Sequence, residues 1–424
     1  MKQNERLPEQ REAPPLMAEP RERDPDQATH PLVTIAGLGA IVGLFAWLWI
    51  GAGFAYFTIV VGLVVMITLH ELGHFLTARW SGMKATQFFL FFGPRIASFH
   101  RKGVEYGVRL IPAGAYVRII GMTNLDPIAP EDEPYAYRNS TYPRKMWVIT
   151  AGSVMHFIQA IILFTVLAVV VGSPDRSSGW SIDSLAEMEN NEAAPAAIAG
   201  LEPGDSILRI DDQETATYQD LIDYVSVRPD EMVNVVVERE GETQSFDIVL
   251  AGRGEGAERS GFLGVRPEFE VVDRNAVNGV KAFGEVSWLS IKGVAQLPVL
   301  LVKSVPLVFE GSEEVSVTSA EASERPVSLV GVVRFGGSNG FDWSSQLALL
   351  AFINVFVGWF NLVPLLPFDG GHAAIATYER IRSRNGRRYQ ADIGKAVPIF
   401  YGTLVVLAVM FFSSIWLDIA RPIS

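Results

Sequence analysis

Five stretches of this chain are apolar almost without interruption: residues 32–50, 54–69, 146–172, 344–368 and 396–417. About 20 apolar residues, rising roughly 1.5 Å each, cross a hydrocarbon core of about 30 Å. The pattern predicts a polytopic α-helical membrane protein of about five spans. The first span is 32–50, and Gly51-Ala52-Gly53 turns the chain back into a second span at 54–80. A third follows at 146–172. The fourth, at 344–372, is interrupted by prolines. The fifth is 396–417. Ahead of them, residues 1–31 are polar, charged and Pro-rich, the composition of a disordered tail.

Between the spans the period changes. Residues 84–121 alternate β-branched and aromatic residues with polar ones, and Gly103 separates two such runs. This predicts a β-hairpin within the loop 81–145, associated with the membrane. Residues 193–251 place short apolar strands around one helix (Tyr218 to Val225), with a hairpin turn at Glu240-Gly241. A-G-L-x-P-G-D-x-I (199–207) resembles a PDZ domain, so residues 178–271 are expected to form a PDZ-like α+β domain. Residues 272–343 form a connector. In it Lys281, Lys292 and Lys303 recur every eleven residues, as on one stripe of an amphipathic helix at the membrane surface. A sixth span, interrupted by Pro298 and Pro306, and a helix packed on the PDZ-like domain are the alternatives.

Composition fits this picture. Of 424 residues, 49% are hydrophobic, and mean hydropathy is +0.23. The absence of cysteine excludes disulfides and thiolate metal sites. Charge is segregated. Residues 79–145 carry ten Lys/Arg against five Asp/Glu, and residues 379–395 carry six against two. Short basic loops favour the cytoplasm, which puts both of these inside, including the basic loop 373–395. Residues 173–343, with thirteen basic against thirty acidic residues, then lie outside.

The candidate chemistry sits within the second span. His70, Glu71 and His74 form H-E-x-x-H. Residues four apart share a helix face, so both imidazoles reach one Zn²⁺ and the glutamate stands beside them as a general base. The bland alternative is a polar helix end. Depth argues against it: His70 lies about 22 Å along a helix starting near Ala55. Ionisable groups inside a span cost about 2.5–3.5 kcal/mol each on insertion scales. Zinc needs a third protein ligand and an open position. Residues 361–371, NLVPLLPFDGG, interrupt the fourth span with two prolines and set Asp369 on the same side of the membrane as the histidines. Its carboxylate would complete a His₂Asp set.

HELGH followed by N-x-x-P-x-x-P-x-D-G-G in a broken span resembles the site-2 protease family of intramembrane zinc metalloproteases. The likeness is greatest to the bacterial, actinobacterial-type regulators of sigma-factor signalling that carry a PDZ domain. It runs from about residue 57 and includes FFGPRI (91–96), EYGVRLIPAGAYV (105–117) and FNLVPLLPFDGGH (360–372). The resemblance implies that His70, His74 and Asp369 bind zinc and that Glu71 is the base. It implies that Asn361, Pro364 and Gly370 contact substrate, and that a hairpin edge, expected at Val117 to Ile120 or on the neighbouring strand, pairs with an unwound substrate. The implied activity is the second cut in regulated intramembrane proteolysis of single-span proteins, anti-sigma factors in particular. The implied setting is a bacterial plasma membrane, with the active site towards the cytoplasm and the PDZ-like domain outside as a size filter. No nucleic-acid partner is expected.

Three features depart from that family. The usual Gly-Pro-x-x-Asn is Gly152-Ser153-Val154-Met155-His156 here. The usual Gly-Gly-Tyr is Gly114-Ala115-Tyr116, and the span at 32–50 is extra. His156 either hydrogen-bonds as the Asn would or adds a titratable group near the zinc. Two further function classes stand beside the protease: a catalytically silent scaffold that binds transmembrane helices, and a metal transporter. The scaffold would be marked by loss of His70, Glu71, His74 or Asp369, and all four are present. A transporter would need polar residues along the whole path, whereas ionisable residues gather at the cytoplasmic side of the spans.

Overall fold

The structure is a computed structural model that describes residues 31–122, 126–174, 179–186, 193–253, 259–269, 271–307, 343–383 and 389–420. The expected tail and most of the connector beyond residue 307 lie outside the described residues. The helices, in order, are α1 (Pro31–Trp47), α2 (Phe54–Trp80), α3 (Tyr142–Val170), α4 (Pro195–Ala199), α5 (Tyr218–Ser226), α6 (Ala276–Leu307), α7 (Trp343–Phe360), α8 (Asp369–Arg382) and α9 (Val397–Ala420). Five helical stretches among the described residues are long and apolar enough to cross a membrane: Thr34–Ala52, Phe54–Trp80, Tyr142–Val170, Trp343–Phe360 and Ile393–Asp418. These are the five expected spans, with shifted ends. α3 starts four residues early because Pro143 suits a first helical turn, and its charged start, Arg144-Lys145, hid that turn from a hydropathy reading.

Glycines let the central helices approach. A Cβ on Gly73 of α2 would lie 2.6 Å from Met155 Cγ and 2.8 Å from the Ala151 carbonyl oxygen of α3. A Cβ on Gly62 would lie 2.5 Å from Leu350 Cδ1 of α7, and one on Gly358 of α7 would lie 2.5 Å from Phe157 Cε1 of α3. Lipid tails are as apolar as side chains, so close packing rather than hydrophobicity holds such helices together. The α2–α7 contact buries Ile59, Leu63, Met66 and Leu350. α6 packs Ala282, Phe283 and Val286 against the Ala160, Phe164 and Val355 cluster of α3 and α7. The expected amphipathic connector therefore begins as a helix seated on the bundle, with Lys281 and Lys292 exposed. α1 stands apart, pinned where Thr34 Oγ1 donates to the Ile96 carbonyl at 2.8 Å.

The loop after α2 forms β1 (Ala85–Arg101) and β2 (Val104–Ile119), turning at Lys102-Gly103 with φ of 51° and 74°. Both strands bend, so the ribbon folds on itself. Gln87 to Leu90 pair in opposite sense with Arg118 to Ala115, and in the same sense with Glu105 to Val108. Segment 115–119 consequently lies at an outer edge of this sheet.

The chain between α3 and α6 forms a small α+β unit, bracketed by β3 (Ser173–Pro174) pairing with β12 (Val271–Asp273). Its main sheet has the order β6 (Gln213–Glu214), β5 (Ser206–Ile210), β7 (Met232–Arg239), β8 (Glu242–Val249). Two further pairs are β9 (Ala251–Arg253) with β10 (Ser260–Phe262), and β4 (Trp180–Leu185) with β11 (Val265–Phe269). The β7–β8 turn is Glu240-Gly241 as expected, both with φ above 50°, the geometry of a two-residue hairpin. Alternate residues Val233, Val235 and Val237 pack with Ile182, Ile207, Ile210, Leu221 and Ile248 in the core.

Asp205 ties this unit together. Arg239 donates to both of its oxygens, at 2.6 and 2.7 Å, and the Glu202 amide donates at 2.9 Å. Burial pushes the carboxyl upward, but the guanidinium fork and the amide outweigh it and hold Asp205 below the usual carboxylate range. A depressed folded-state value contributes stability above the unfolded carboxylate pKa, and that contribution is lost as pH falls through the folded value. Asp205→Asn is expected to destabilise the unit by about 1–3 kcal/mol at neutral pH and to remove this step from its acid unfolding. Hydrogen exchange of strands β5 and β7 in the full chain, measured against pH, checks both outcomes.

Candidate metal centre

Two elements converge at one point. α2 supplies His70 and His74, which are neighbours on its face and both about nine-tenths buried. α8 supplies Asp369 as its first residue. His70 Nε2 and His74 Nε2 lie 3.1 Å apart. Asp369 Oδ2 lies 3.5 Å from the first and 3.3 Å from the second. A tetrahedral ion with bonds of about 2.0–2.1 Å needs donors roughly 3.3 Å apart, so the triangle has the size zinc requires. Among the described residues these three form the one His/Asp/Glu group compact enough to hold a metal ion.

The donor chemistry fits as well. His74 Nδ1 donates to the Val148 carbonyl at 2.8 Å, which leaves the Nε2 lone pair facing the triangle. Asp369 Oδ2 is buried yet makes no hydrogen bond. Two imidazole nitrogens and a carboxylate oxygen crowded within 3.1–3.5 Å of one another are a donor set suited to a cation.

Neighbouring residues fix each donor. Gly152 of α3 lies against both imidazoles: a Cβ there would be 2.3 Å from His70 Cε1 and 2.5 Å from His74 Nε2. The glycine that opens the Gly152-to-His156 motif is in space the floor of the site. Asp369 is placed by the loop 361–368, whose amides and carbonyls bond within the loop and to the end of α7, with the Gly370 amide donating to the Asn361 carbonyl at 2.8 Å. A Cβ at Gly370 would lie 2.3 Å from the Leu362 and Val363 oxygens, and one at Gly371 2.6 Å from the Leu365 carbonyl carbon. The Gly-Gly pair is thus required for the loop to close over the start of α8. α8 is docked on α3 by Lys145 Nζ, which donates to Glu379 Oε2 at 2.9 Å, and by contact of Tyr142 and Thr377 hydroxyls at 3.2 Å.

Glu71 turns towards the sheet, and its Oε2 accepts from the Val117 amide at 3.1 Å. Of the residues expected to contact substrate, Asn361 and Gly370 meet through their backbones, and Pro364 is exposed on the loop. The expected edge, Val117 to Ile120, is partly engaged. Ile120 donates to the Lys84 carbonyl and accepts from the Tyr137 amide, so its backbone is satisfied within the fold.

His156 is buried, and its ring lies 4.9 Å from that of His70. Its Nδ1 is 3.0 Å from Asn354 Oδ1, and Asn354 Nδ2 donates to the Leu350 carbonyl. The amide orientation makes His156 Nδ1 the donor. Asn354 escaped the sequence reading, although an Asn inside the apolar run QLALLAFINVFVGWF was the available signal.

Gly152→Ala is expected to displace the imidazoles and weaken zinc binding by at least roughly tenfold. Metal content after dialysis against graded chelator measures this.

The chain also has known relatives. The model of peptidase family M50 matches residues 58–406. Zinc metalloprotease Rip1 of Mycolicibacterium smegmatis is 31% identical over 88% of this chain and 98% of the relative. Rip1 of Mycobacterium tuberculosis H37Rv is 29% identical over 85% and 96%. Metalloprotease MmpA of Caulobacter vibrioides is 28% identical over 85% and 94%. With a buried His₂Asp triangle among apolar helices and a family match across most of its length, this chain belongs to peptidase family M50, the site-2 proteases, and is a zinc metallopeptidase.

Proposed function

We propose that this protein cuts peptide bonds within the transmembrane segments of single-span membrane proteins, with zinc held by His70, His74 and Asp369 and with Glu71 as general base. The observation that carries this reading is the donor triangle, with edges of 3.1, 3.3 and 3.5 Å, inside a bundle of apolar helices. Bound there, zinc supplies Lewis acidity, polarising the scissile carbonyl and acidifying water. The Glu71 carboxylate takes a proton from the attacking water and delivers it to the departing nitrogen. Asn361, Pro364 and Gly370 belong to the loop over which the substrate backbone passes. His70 and His74 are themselves buried away from bulk water, which strengthens the electrostatics of the site.

The setting follows from charge. The metal site lies towards the helix ends that join the basic segments 79–145 and 379–395, so it faces the cytoplasm of a bacterial plasma membrane. The acidic α+β unit lies outside as a PDZ-like domain. Tyr218 Oη of α5 donates to the Val265 carbonyl of β11 at 3.2 Å. This bond joins helix and strand of the compact unit, which we read as a size filter over the site. Such a filter admits substrates already shortened by a first cut. Anti-sigma factors, single-span proteins released in two steps, are the substrate class proposed.

Purified protein in detergent, given a tagged single-span substrate with a shortened outer region, tests the site. Glu71→Gln is expected to retain zinc and to cut about 10²–10⁴-fold more slowly. His74→Ala is expected to lose both zinc and cleavage. Full activity of Glu71→Gln would remove the general-base assignment.

A further inference from the structure

Segment 115–119 is an outer strand, with residues 87–90 covering one side. In antiparallel pairing, successive residues present their backbone groups alternately towards the partner and away from it. Val117 presents its amide away, because it donates to Glu71 Oε2 at 3.1 Å. Ala115, two residues earlier, presents its amide and carbonyl to the same side. An extended peptide adding to this edge would meet Ala115 and Val117 where the Glu71 carboxylate stands.

This edge is held stiffly against α2. The rings of Phe89 and Tyr116 stack with centroids 5.6 Å apart and planes 5° from parallel. The Arg109 guanidinium lies 4.8 Å from the Phe89 centroid and 5.3 Å from that of Tyr116. It donates to the Tyr116 hydroxyl and to the Gly93 carbonyl, both at 2.7 Å. Gly114, at φ +139°, fits between Phe92 and Ile67 of α2, where a Cβ would lie 2.9 Å from Phe92 Cε2 and 3.7 Å from Ile67 Cγ2. A Glu side chain is long and loses much rotamer freedom when fixed. An amide on a strand braced in this way fixes it.

We propose that the main-chain amide of Val117 is the positioning group for Glu71: the strand that receives the substrate also aims the base. The proposal rests on Glu71 being the base. It makes alignment of the base depend on an intact edge strand, so that one backbone segment sets both where the substrate lies and where its proton goes.

Val117→Pro tests it in the full chain. Of the backbone hydrogen-bonding groups proline removes this N–H alone, and it suits an edge position whose N–H leaves the sheet. The expected result is a kcat lowered roughly 10- to 100-fold, the usual cost of losing a partner that orients a site residue, with zinc content and KM unchanged. A raised KM with unchanged kcat would show that the amide serves the substrate alone, and wild-type values of both would also overturn the proposal. Glu71→Gln, run in parallel, separates the two claims. If it cuts normally, the base assignment fails. If it is inactive while Val117→Pro is normal, only the positioning role fails. Hydrogen exchange at the Val117 amide decides even if the proline variant does not fold. In Glu71→Ala that amide is expected to exchange at least roughly tenfold faster than in wild type, and an unchanged rate overturns the proposal.

Discussion

Two imidazoles placed well inside an apolar helix must be given partners, because a polar group left bare in a bilayer costs several kcal/mol. Much of the bundle answers that requirement. α3 approaches α2 closely enough for its Val148 carbonyl to take the His74 Nδ1 proton, and Gly73 and Gly152 make the approach sterically feasible. α7 stops at Phe360 so that irregular backbone can bring a carboxylate to the same depth. Non-helical backbone is tolerated there because its own carbonyls and amides are bonded to one another.

The same logic orders the outer parts. In the Lys145–Glu379 pair the lysine is buried and the glutamate partly so, and the Tyr137 ring joins them, 5.2 Å from Lys145 Nζ. A pair of this kind adds little net stability but fixes one relative position of two helices, here the position that carries Asp369 to the histidines. The folded-back β1–β2 sheet gives Glu71 one bond from a rigid element, as α8 brings Asp369 to the two histidines. Site precision therefore comes from elements distant in sequence, each held by one or two polar contacts within apolar packing.

How much of this the sequence discloses depends on the range of the interaction. The five spans are legible because lipid solvation acts on each helix separately, and hydropathy records it. His70, Glu71 and His74 are legible because helix geometry fixes their spacing locally. Asp369 is legible as a lone carboxylate beside prolines in an apolar run, and the helix at Tyr218 and the turn at Glu240-Gly241 are read from local propensity. The folding back of residues 85–119 is not legible, because strand register is set by pairing partners. Nor is the Val117 bond, since a backbone amide carries no side-chain signal. Gly152 shows the middle case: the residue is visible, but that it forms the floor beneath two imidazoles follows only from the crossing of α2 and α3.

The measurement that tests the central claim most directly is zinc K-edge X-ray absorption of the metal-loaded protein, wild type beside Asp369→Ala and His156→Ala. A His₂Asp site gives a first shell of two imidazole nitrogens and light oxygen donors. This shell is expected to change in the Asp369 variant and to be unaltered in the His156 variant. A shell of three imidazoles that loses one in His156→Ala, or a spectrum indifferent to Asp369, would contradict the assignment of His70, His74 and Asp369 as the zinc ligands.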